Sequence, residues 1–494
     1  MYVLVAAFLI FGSCRSIGSA LPSGLCASIS HTSSVYRTMG FALTVLYLVT
    51  AYLGPATIFG PLADFHVEVI LAALVLLVSL PSLAGSFIWK TPQSLALAGL
   101  AFATFLSLLV TGWAGGAVQV FLDFIPNAFA YFLVCLHCNT KKKLQILIVV
   151  MLCVCLFVIA HGYDDLRHQS SWSGSAQQVP TETTYLLPMT NDSGAWFYRI
   201  RGLDFISDPN DLAQVIVCVI PLVLIFWRPK RMLMNVALLI LPVAALLFGA
   251  YLTHSRGSLL AITAMILIAA RRRIGTLPSL LLAIGLFVGM SATNYTGGRE
   301  ISAGSGADRM DLWSEGLQLM KSHPIFGVGY NRMFDNTSNG LTAHNSVVVC
   351  VVELGLFGLY FWSMFLFPTV RDALALASPG KVSEAEPIEA EKAPFPSAMR
   401  KSTAIDKAEV NRLGRLVVLS LTGFLVAGWF LSRAFTMTFF LLGGVGEAVF
   451  QMALQRGMIA PRMPLARVLR LSGGLTIALV MLVYVVLRVG NLWR

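Results

Sequence analysis

The sequence predicts an all-α membrane protein that crosses the bilayer roughly 13 times. Hydrophobic residues make up 57% of its 494 residues, only 12% are charged, and the mean hydropathy is +0.76. A soluble protein carries about twice that charged fraction. The basic residues lie in short loops between apolar segments and not on one soluble face. Despite the net charge of +11, this distribution argues against nucleic acid as a partner.

Apolar segments of about 20 residues can span a bilayer. The predicted spans are 40–52, 67–83, 94–113, 117–136, 144–160, 212–227, 232–252, 258–270, 277–292, 346–367, 413–431, 435–453 and 471–489. Residues 1–13 are apolar but short and lack the basic start of a secretory signal. They remain open to three interpretations: a marginal first span, a weak signal, or a start-site artefact.

The basic clusters predict the orientation of these spans. When the spans alternate, five clusters share one side: residues 141–143, 228–231, 271–273, 371–415 and 462–470. The positive-inside rule assigns that side to the cytoplasm. The other side receives three polar segments, at residues 162–210, 253–257 and 294–345.

The chain therefore divides into five regions. They are an N-terminal transmembrane bundle over 1–293 with the extracytoplasmic loop 162–210, an extracytoplasmic loop over 294–345, a span over 346–371, a cytoplasmic linker over 372–411, and C-terminal transmembrane helices over 412–494. The linker is rich in Ala, Glu, Lys and Pro, a composition typical of disorder.

The polar segment 294–345 holds the candidates for chemistry, since ionisable groups at a membrane boundary are costly to desolvate. Residues 308–322 have helical spacing, with an apolar stripe that includes Trp313, a cap at Asp308 and an end before Pro324. Such a helix lies at the membrane surface or roofs a cavity between spans. Gly327 and Gly329 permit a tight turn or a close approach to a ligand.

Arginine and histidine recur at the outer ends of the spans. The candidates are Arg199 and Arg201, His254 and Arg256, Arg309, and His344 with Asn345. Arginine binds phosphate oxygens bidentately and stays charged, whereas histidine titrates near neutral pH and can act as a general base. This combination suits an anionic diphosphate and a hydroxyl that must lose a proton.

Other interpretations exist for each candidate. A single arginine at the end of a span often reaches for lipid headgroups, His254 fits a turn, and His323 fits a helix end. A capping role belongs to Asn345 or Ser346. Four acidic residues could be interpreted as a cation site, but their spacing fits a solvated helix face, so no metal is predicted: Glu300, Asp308, Asp311 and Glu315.

The ordered motifs resemble those of the bacterial O-antigen ligases and the related O-antigen and exopolysaccharide polymerases. The residues that carry the resemblance are Arg309 and Trp313, the sequence PIFGVG at 324–329, His344-Asn345, and ELGLFG at 353–358, preceded by Arg201-Gly202 and THSRG at 253–257. The resemblance is strongest over residues 199–362, and the N-terminal spans share only the hydropathy.

The resemblance implies a GT-C-like fold and a lipopolysaccharide or exopolysaccharide enzyme in the bacterial inner membrane, with its site on the periplasmic face. Such enzymes transfer a glycan from undecaprenyl diphosphate to lipid A-core or to another lipid-linked glycan, with inversion and without metal or cofactor. By this resemblance Arg201, Arg256 and Arg309 would hold the diphosphate, and His344 would deprotonate or orient the acceptor hydroxyl. Trp313 and Asn345 would join them in binding the substrate.

Two further functions remain open from the sequence. A transporter or flippase of an anionic lipid-linked sugar would need charged or broken helices near the middle of the membrane. Arg433, Glu447 and the glycines at 443–446 are the places to look for them. A scaffold for an export complex is supported only by the linker 372–411.

Overall fold

The computed structural model describes residues 23–65, 67–83, 86–169, 184–191, 194, 196–293, 295–297, 303–378 and 407–492. Residues 1–13 and most of the predicted linker lie outside these ranges.

Long helices form nearly all of the described structure. The first nine are α1 (Ser23–Leu53), α2 (Val67–Leu83), α3 (Pro92–Val110), α4 (Ala114–His137), α5 (Lys141–Gln169), α6 (Pro209–Val223), α7 (Met232–Leu252, with a π-helical turn at Val236–Ile240), α8 (Arg256–Ile274) and α9 (Thr276–Ala292). The others are α10 (Ala303–Ser322), α11 (Ser346–Ala377), α12 (Lys407–Gly428), α13 (Met437–Leu454) and α14 (Leu465–Leu492).

The short elements are single turns and one hairpin. The turns are Pro55–Ile58, Pro61–Asp64, Phe87–Lys90, Asp204–Ile206, Leu224–Phe226 and Phe334–Asn336. The strands β1 (Leu186–Thr190) and β2 (Trp196–Ile200) pair antiparallel, with Pro188 opposite Tyr198. The hairpin lies in the loop 162–210, for which the sequence predicts no strand.

The prediction of a polytopic all-α membrane protein is confirmed in its main point. Among the described residues, nine helices are long and apolar enough to cross a membrane: α3 to α7 and α11 to α14. Three shorter apolar helices lie within α1, α2 and α9. Helix α8 is of similar length but ends in Arg271, Arg272 and Arg273. The number of 13 spans stays a prediction.

The structure brings the basic loops to one end of the bundle. Side chains join them in pairs: Lys141 with Glu409, Arg412 with the Trp227 carbonyl, Arg272 with Ser378, and Arg462 with Asp372. Five clusters that are far apart in sequence therefore share one face, as the alternation of spans predicts.

An aromatic core lies between α4, α11 and α13. The ring of Phe365 lies 4.9 Å from Phe439, 5.3 Å from Phe440 and 5.6 Å from Tyr131, centroid to centroid. Edge-to-face geometry of this kind adds about 0.5–1.5 kcal/mol per pair to the burial of the rings. Helix α13, which supplies two of these rings, is buried along nearly its whole length.

Helix α11 is interrupted at Gly355, whose φ of 65° and ψ of −168° are not helical. The segment 324–329 fills the interruption by hydrogen bonding to α11. Four backbone bonds connect them: Val328 N–H to Val352 O (2.9 Å), Gly329 N–H to Glu353 O (3.1 Å), Leu356 N–H to Pro324 O (2.9 Å) and Phe357 N–H to Ile325 O (3.1 Å). The two glycine-containing motifs thus form one structural unit.

Glycine is required on both sides of this contact. A Cβ atom on Gly327 would lie 2.4 Å from the Glu353 carbonyl, and one on Gly355 would lie 2.2 Å from the Ile325 oxygen. Both residues also have positive φ angles of 71° and 65°. Gly327 therefore serves a close approach to the protein's own helix.

Several predicted boundaries need correction. The outer helix α10 begins at Ala303, so Asp308 lies inside it and not at its start. Helices α11 and α12 extend to Ala377 and from Lys407, which leaves a shorter connection than the predicted linker. Pro324 does follow the end of α10, at Ser322.

The glycines at 443–446, Glu447 and Arg433 do not form the broken, charged helix that a transporter would need. Helix α13 continues unbroken through the glycines at 443–446. Glu447 is buried and paired with Arg462 from the loop at the basic end. Arg433 lies in the turn between α12 and α13, outside both helices.

Candidate active site

The end of the bundle opposite the basic loops gathers the predicted site residues. This site face is built from the turn 253–255, helix α10, the loop 323–345 and the turn 429–436. Helices α6, α8 and α11 begin here, and a side chain caps each one: Asp208, Ser255 and Asn345. Helix N-termini carry partial positive charge, so the backbone already favours an anion at this face.

Arg199 on β2 connects three elements below this surface. Its Nε donates to the Thr253 carbonyl at 2.7 Å and a terminal nitrogen donates to Asn210 Oδ1 at 2.8 Å. Only 3% of Arg199 is exposed, and this burial lowers its pKa to about 10, with the charge of Arg256 acting in the same direction against that of Asp208. Arg199 thus supports the site from beneath.

Arg256 and Arg309 belong to the same positive cluster. Arg256 is the first residue of α8, and the guanidinium carbon of Arg309 lies 5.8 Å from the centre of the Phe430 ring. Burial, followed by the positive charge of Arg256, lowers the pKa of Arg309. The structure therefore brings these two predicted residues together, along with Arg199.

His344 faces this cluster from the start of α11. Its φ of 47° is rare for a residue with a side chain, and its N–H donates to Ser432 Oγ at 2.9 Å. The imidazole is accessible, although protein atoms surround much of it. This partial burial, and then the charge of Arg309, lowers the pKa of His344; Arg433 also lowers it, while Asp208 raises it.

Strained backbone of this kind persists only where its surroundings hold it, and it occurs often at functional sites. A lowered pKa keeps the imidazole neutral at neutral pH, the form that can accept a proton.

His254 is placed as a turn residue. Its Nδ1 donates to the Tyr295 carbonyl at 2.9 Å, since a carbonyl can only accept. Its φ is 49°, and the Tyr295 hydroxyl bonds to Ser258 Oγ at 2.8 Å. His254 therefore ties the α7–α8 turn to residues 295–297.

Trp313 and Asn345, which the sequence analysis expects to bind substrate, are buried in supporting positions. The Trp313 indole N–H donates to Ala343 O at 2.7 Å, and its ring packs edge-on against Trp429 at 5.7 Å. Asn345 Oδ1 accepts from the first N–H groups of α11, and its Nδ2 donates to Trp429 O at 3.0 Å. With 5% and 0% exposed, they present almost no surface to a ligand.

Arg201 is set by the hairpin. Its Nε donates to the Thr184 carbonyl at 3.1 Å, and its backbone N–H to Tyr185 O at 2.9 Å. It is half-buried and lies just past the end of β2, two residues after Arg199. Of these two arginines, Arg199 is the one that reaches the α7–α8 turn.

The site face also holds an ion pair that the sequence analysis does not predict. Arg433 in the turn 429–436 pairs with Asp211 in the first turn of α6, with Nε 2.5 Å from Oδ1. These residues are 222 positions apart. The sequence marks Arg433 only as an exceptional charge, because no local pattern indicates its partner.

The two acidic side chains of α10 that the structure describes, Asp311 and Glu315, do not gather as cation ligands. Asp311 is exposed, and Glu315 accepts from the Ser338 backbone N–H at 2.7 Å and from its hydroxyl. Glu300 lies outside the described residues. Across the part of the chain that the structure describes, no three His, Cys, Asp or Glu side chains cluster as metal ligands would.

A polar cleft of about 440 Å³ opens beside the site. Within it, the guanidinium of Arg332 lies 4.2 Å from the Trp113 ring and 2.8 Å from Asp335. The residues that line the cleft are Leu108, Thr111, Trp113, His323, Val328, Arg332, Asp335 and Asn336. Arg256, Arg309 and His344 are not among them, so the cleft and the positive cluster are distinct features.

The fold and the site define a polytopic membrane protein with a cationic cluster and a histidine of lowered pKa at one end of its bundle. Residues 212–363 match the family model described as O-antigen ligase. Over this segment the chain is similar to the O-antigen ligases, and the match confirms the resemblance drawn from its motifs. This match implies a glycosyltransferase-like membrane enzyme in the context of lipid-linked glycan. No curated protein matches the chain.

The matched segment runs from α6 into α11. It contains Arg256, Arg309 and His344, and it excludes Arg201 and Arg433. The family match therefore covers the core of the positive cluster but not the whole site face.

Proposed function

We propose that the protein is an inverting, metal-independent glycosyltransferase of GT-C-like fold that takes a glycan from undecaprenyl diphosphate. Its acceptor is lipid A-core for a ligase, or another lipid-linked glycan for a polymerase. The active site faces the periplasm from the bacterial inner membrane, since the basic loops occupy the opposite end. The observation that carries the proposal is the cluster of Arg256, Arg309 and His344 beside the capped N-termini of α8 and α11.

In this reaction His344 takes the proton from the acceptor hydroxyl. The acceptor oxygen attacks the anomeric carbon from the face opposite the diphosphate and forms the new glycosidic bond. The bond between that carbon and the diphosphate oxygen breaks, and undecaprenyl diphosphate leaves with the electron pair. The lowered pKa of His344 favours the neutral imidazole that this step needs.

Arg256 and Arg309 stabilise the charge that develops on the leaving diphosphate. The positive charge of Arg256 lowers the pKa of Arg309, so the two guanidinium groups repel each other, and a bound dianion would relieve that repulsion. Arg201 is proposed to bind the same diphosphate from the outer edge of this arginine cluster. Trp313 and Asn345 act by holding Ala343 and the start of α11, and thereby His344, in place.

The test is a transfer assay on purified protein with undecaprenyl-diphosphate glycan and EDTA. Lipid A-core and a second lipid-linked repeat unit are supplied in separate reactions. Transfer to lipid A-core identifies a ligase, and chain elongation identifies a polymerase. Absence of both products from folded protein contradicts the proposal. Transfer that EDTA abolishes and Mg²⁺ restores contradicts metal independence.

A further inference from the structure

Arg433 is held from two sides at the site face. Its Nε lies 2.5 Å from Asp211 Oδ1, and a terminal nitrogen contacts the second carboxylate oxygen. Its backbone N–H donates to Ser346 Oγ at 3.1 Å. Helix α6 thus fixes the side chain, and helix α11 fixes the backbone.

The same turn holds the backbone of His344. Ser432, which precedes Arg433, accepts the His344 N–H at 2.9 Å, and its hydroxyl contacts Thr342 Oγ1 at 2.8 Å. Arg433 therefore has a set position relative to the histidine. The charged groups that act on His344 are Arg309 from α10, Asp208 from the start of α6 and Arg433 from this turn.

The two members of the ion pair differ in exposure. The Asp211 side chain is 8% exposed, whereas that of Arg433 is 41% exposed. A guanidinium carries five N–H donors, and the contact with Asp211 uses one edge of it. The exposed part of the guanidinium can therefore meet a ligand while a buried carboxylate fixes its orientation.

A contribution to the stability of the fold does not by itself explain the ion pair of Asp211 and Arg433. Taking a carboxylate out of water costs several kcal/mol, and a buried ion pair often adds little net stability. A carboxylate that orients an arginine for a second anion serves preorganisation, because less side-chain freedom is lost on binding.

We propose that Arg433 is a further diphosphate-binding residue and that Asp211 positions it. The ligand is the diphosphate group of the polyprenyl donor, so the inference rests on the proposed function. Arg433 approaches that group from the turn 429–436, whereas Arg256 and Arg309 approach from α8 and α10. The residue lies outside the family-matched segment.

The test compares KM for undecaprenyl-diphosphate glycan among single variants. Arg433→Gln should raise KM roughly ten- to hundredfold, the range expected for loss of a charged hydrogen bond. Arg433→Lys should give a smaller loss, because an ammonium cannot bind Asp211 and phosphate with the same fork. Asp211→Asn keeps the cation and should change KM less than Arg433→Gln. Arg332→Gln removes an arginine from the same face outside the cluster and is the matched control.

A purely structural ion pair predicts another pattern. Arg433→Gln and Asp211→Asn would then lower thermal stability alike and leave the KM of the folded fraction unchanged, which would overturn the inference. Binding of undecaprenyl diphosphate itself, followed by native mass spectrometry, gives a second readout. Wild type that transfers glycan while Arg433→Gln binds undecaprenyl diphosphate equally well refutes the role of Arg433 alone. Wild type that neither transfers nor binds refutes both proposals.

Discussion

Replacing Gly355 by alanine should break the contact between the segment 324–329 and helix α11. The backbone angles of Gly355 lie in a region that is essentially restricted to glycine, so the substitution costs about 1–3 kcal/mol in strain. The new Cβ would also lie 2.2 Å from the Ile325 carbonyl oxygen. That approach is shorter than van der Waals contact, so the segment must move away.

The displacement removes the nearest hydrogen bonds. Leu356 N–H to Pro324 O (2.9 Å) and Phe357 N–H to Ile325 O (3.1 Å) flank the substituted residue, and each contributes about 0.5–1.5 kcal/mol net. Strain and lost bonds together amount to about 4 kcal/mol. Because 1.4 kcal/mol is a factor of ten, local opening should become roughly a thousandfold more frequent.

Amide hydrogen exchange measures this opening directly. The amides of Val328, Gly329, Leu356 and Phe357 should exchange about a thousandfold faster in Gly355→Ala than in wild type. Gly340→Ala is the matched control, since Gly340 has a similar φ of 59° in the same loop with open space around it. Equal protection of these amides in both variants would refute the reasoning.

Three further predictions follow from the site. Arg309→Gln removes a charge that lowers the pKa of His344, so that pKa should rise and the acidic limb of kcat/KM should move to higher pH; an unmoved limb contradicts this. Trp313→Phe leaves the Ala343 carbonyl without its 2.7 Å donor and should loosen α10 by about 1–3 kcal/mol, seen as faster proteolysis within α10. Arg199→Met removes a buried cation and leaves the Thr253 carbonyl and Asn210 Oδ1 without its two bonds. It should lower stability by about 2–3 kcal/mol, and an unchanged melting temperature would show that the residue is dispensable.

The spans were the most predictable part of the fold. Val67–Leu83 and Met232–Leu252 have the predicted bounds, because apolar length depends on local composition alone. The location of the basic loops on one face was also predictable, because successive spans alternate in direction across the membrane. The start of α10 was less predictable: Gly304 and Gly306 have low helix propensity, so the sequence pattern begins only at residue 308.

The site was predictable as a set of residues but not as a set of contacts. Arg256, Arg309 and His344 were recognised from motifs, and the structure brings them together. The partnership of Asp211 and Arg433 was beyond sequence reasoning, because it joins the ends of two helices that are distant in sequence. The sequence also could not distinguish whether Gly327 approaches a ligand or the protein's own helix, since either use requires a missing Cβ.

The most direct test of the central claim compares Arg256→Ala, His344→Ala and the control His323→Ala in the transfer assay. His323 is an exposed histidine of the same loop whose ring contacts its neighbour Ser322. All three variants should insert and fold as wild type does. Arg256→Ala and His344→Ala should abolish glycan transfer, whereas His323→Ala should retain it. Transfer at the wild-type rate by both Arg256→Ala and His344→Ala would contradict the assignment of the active site.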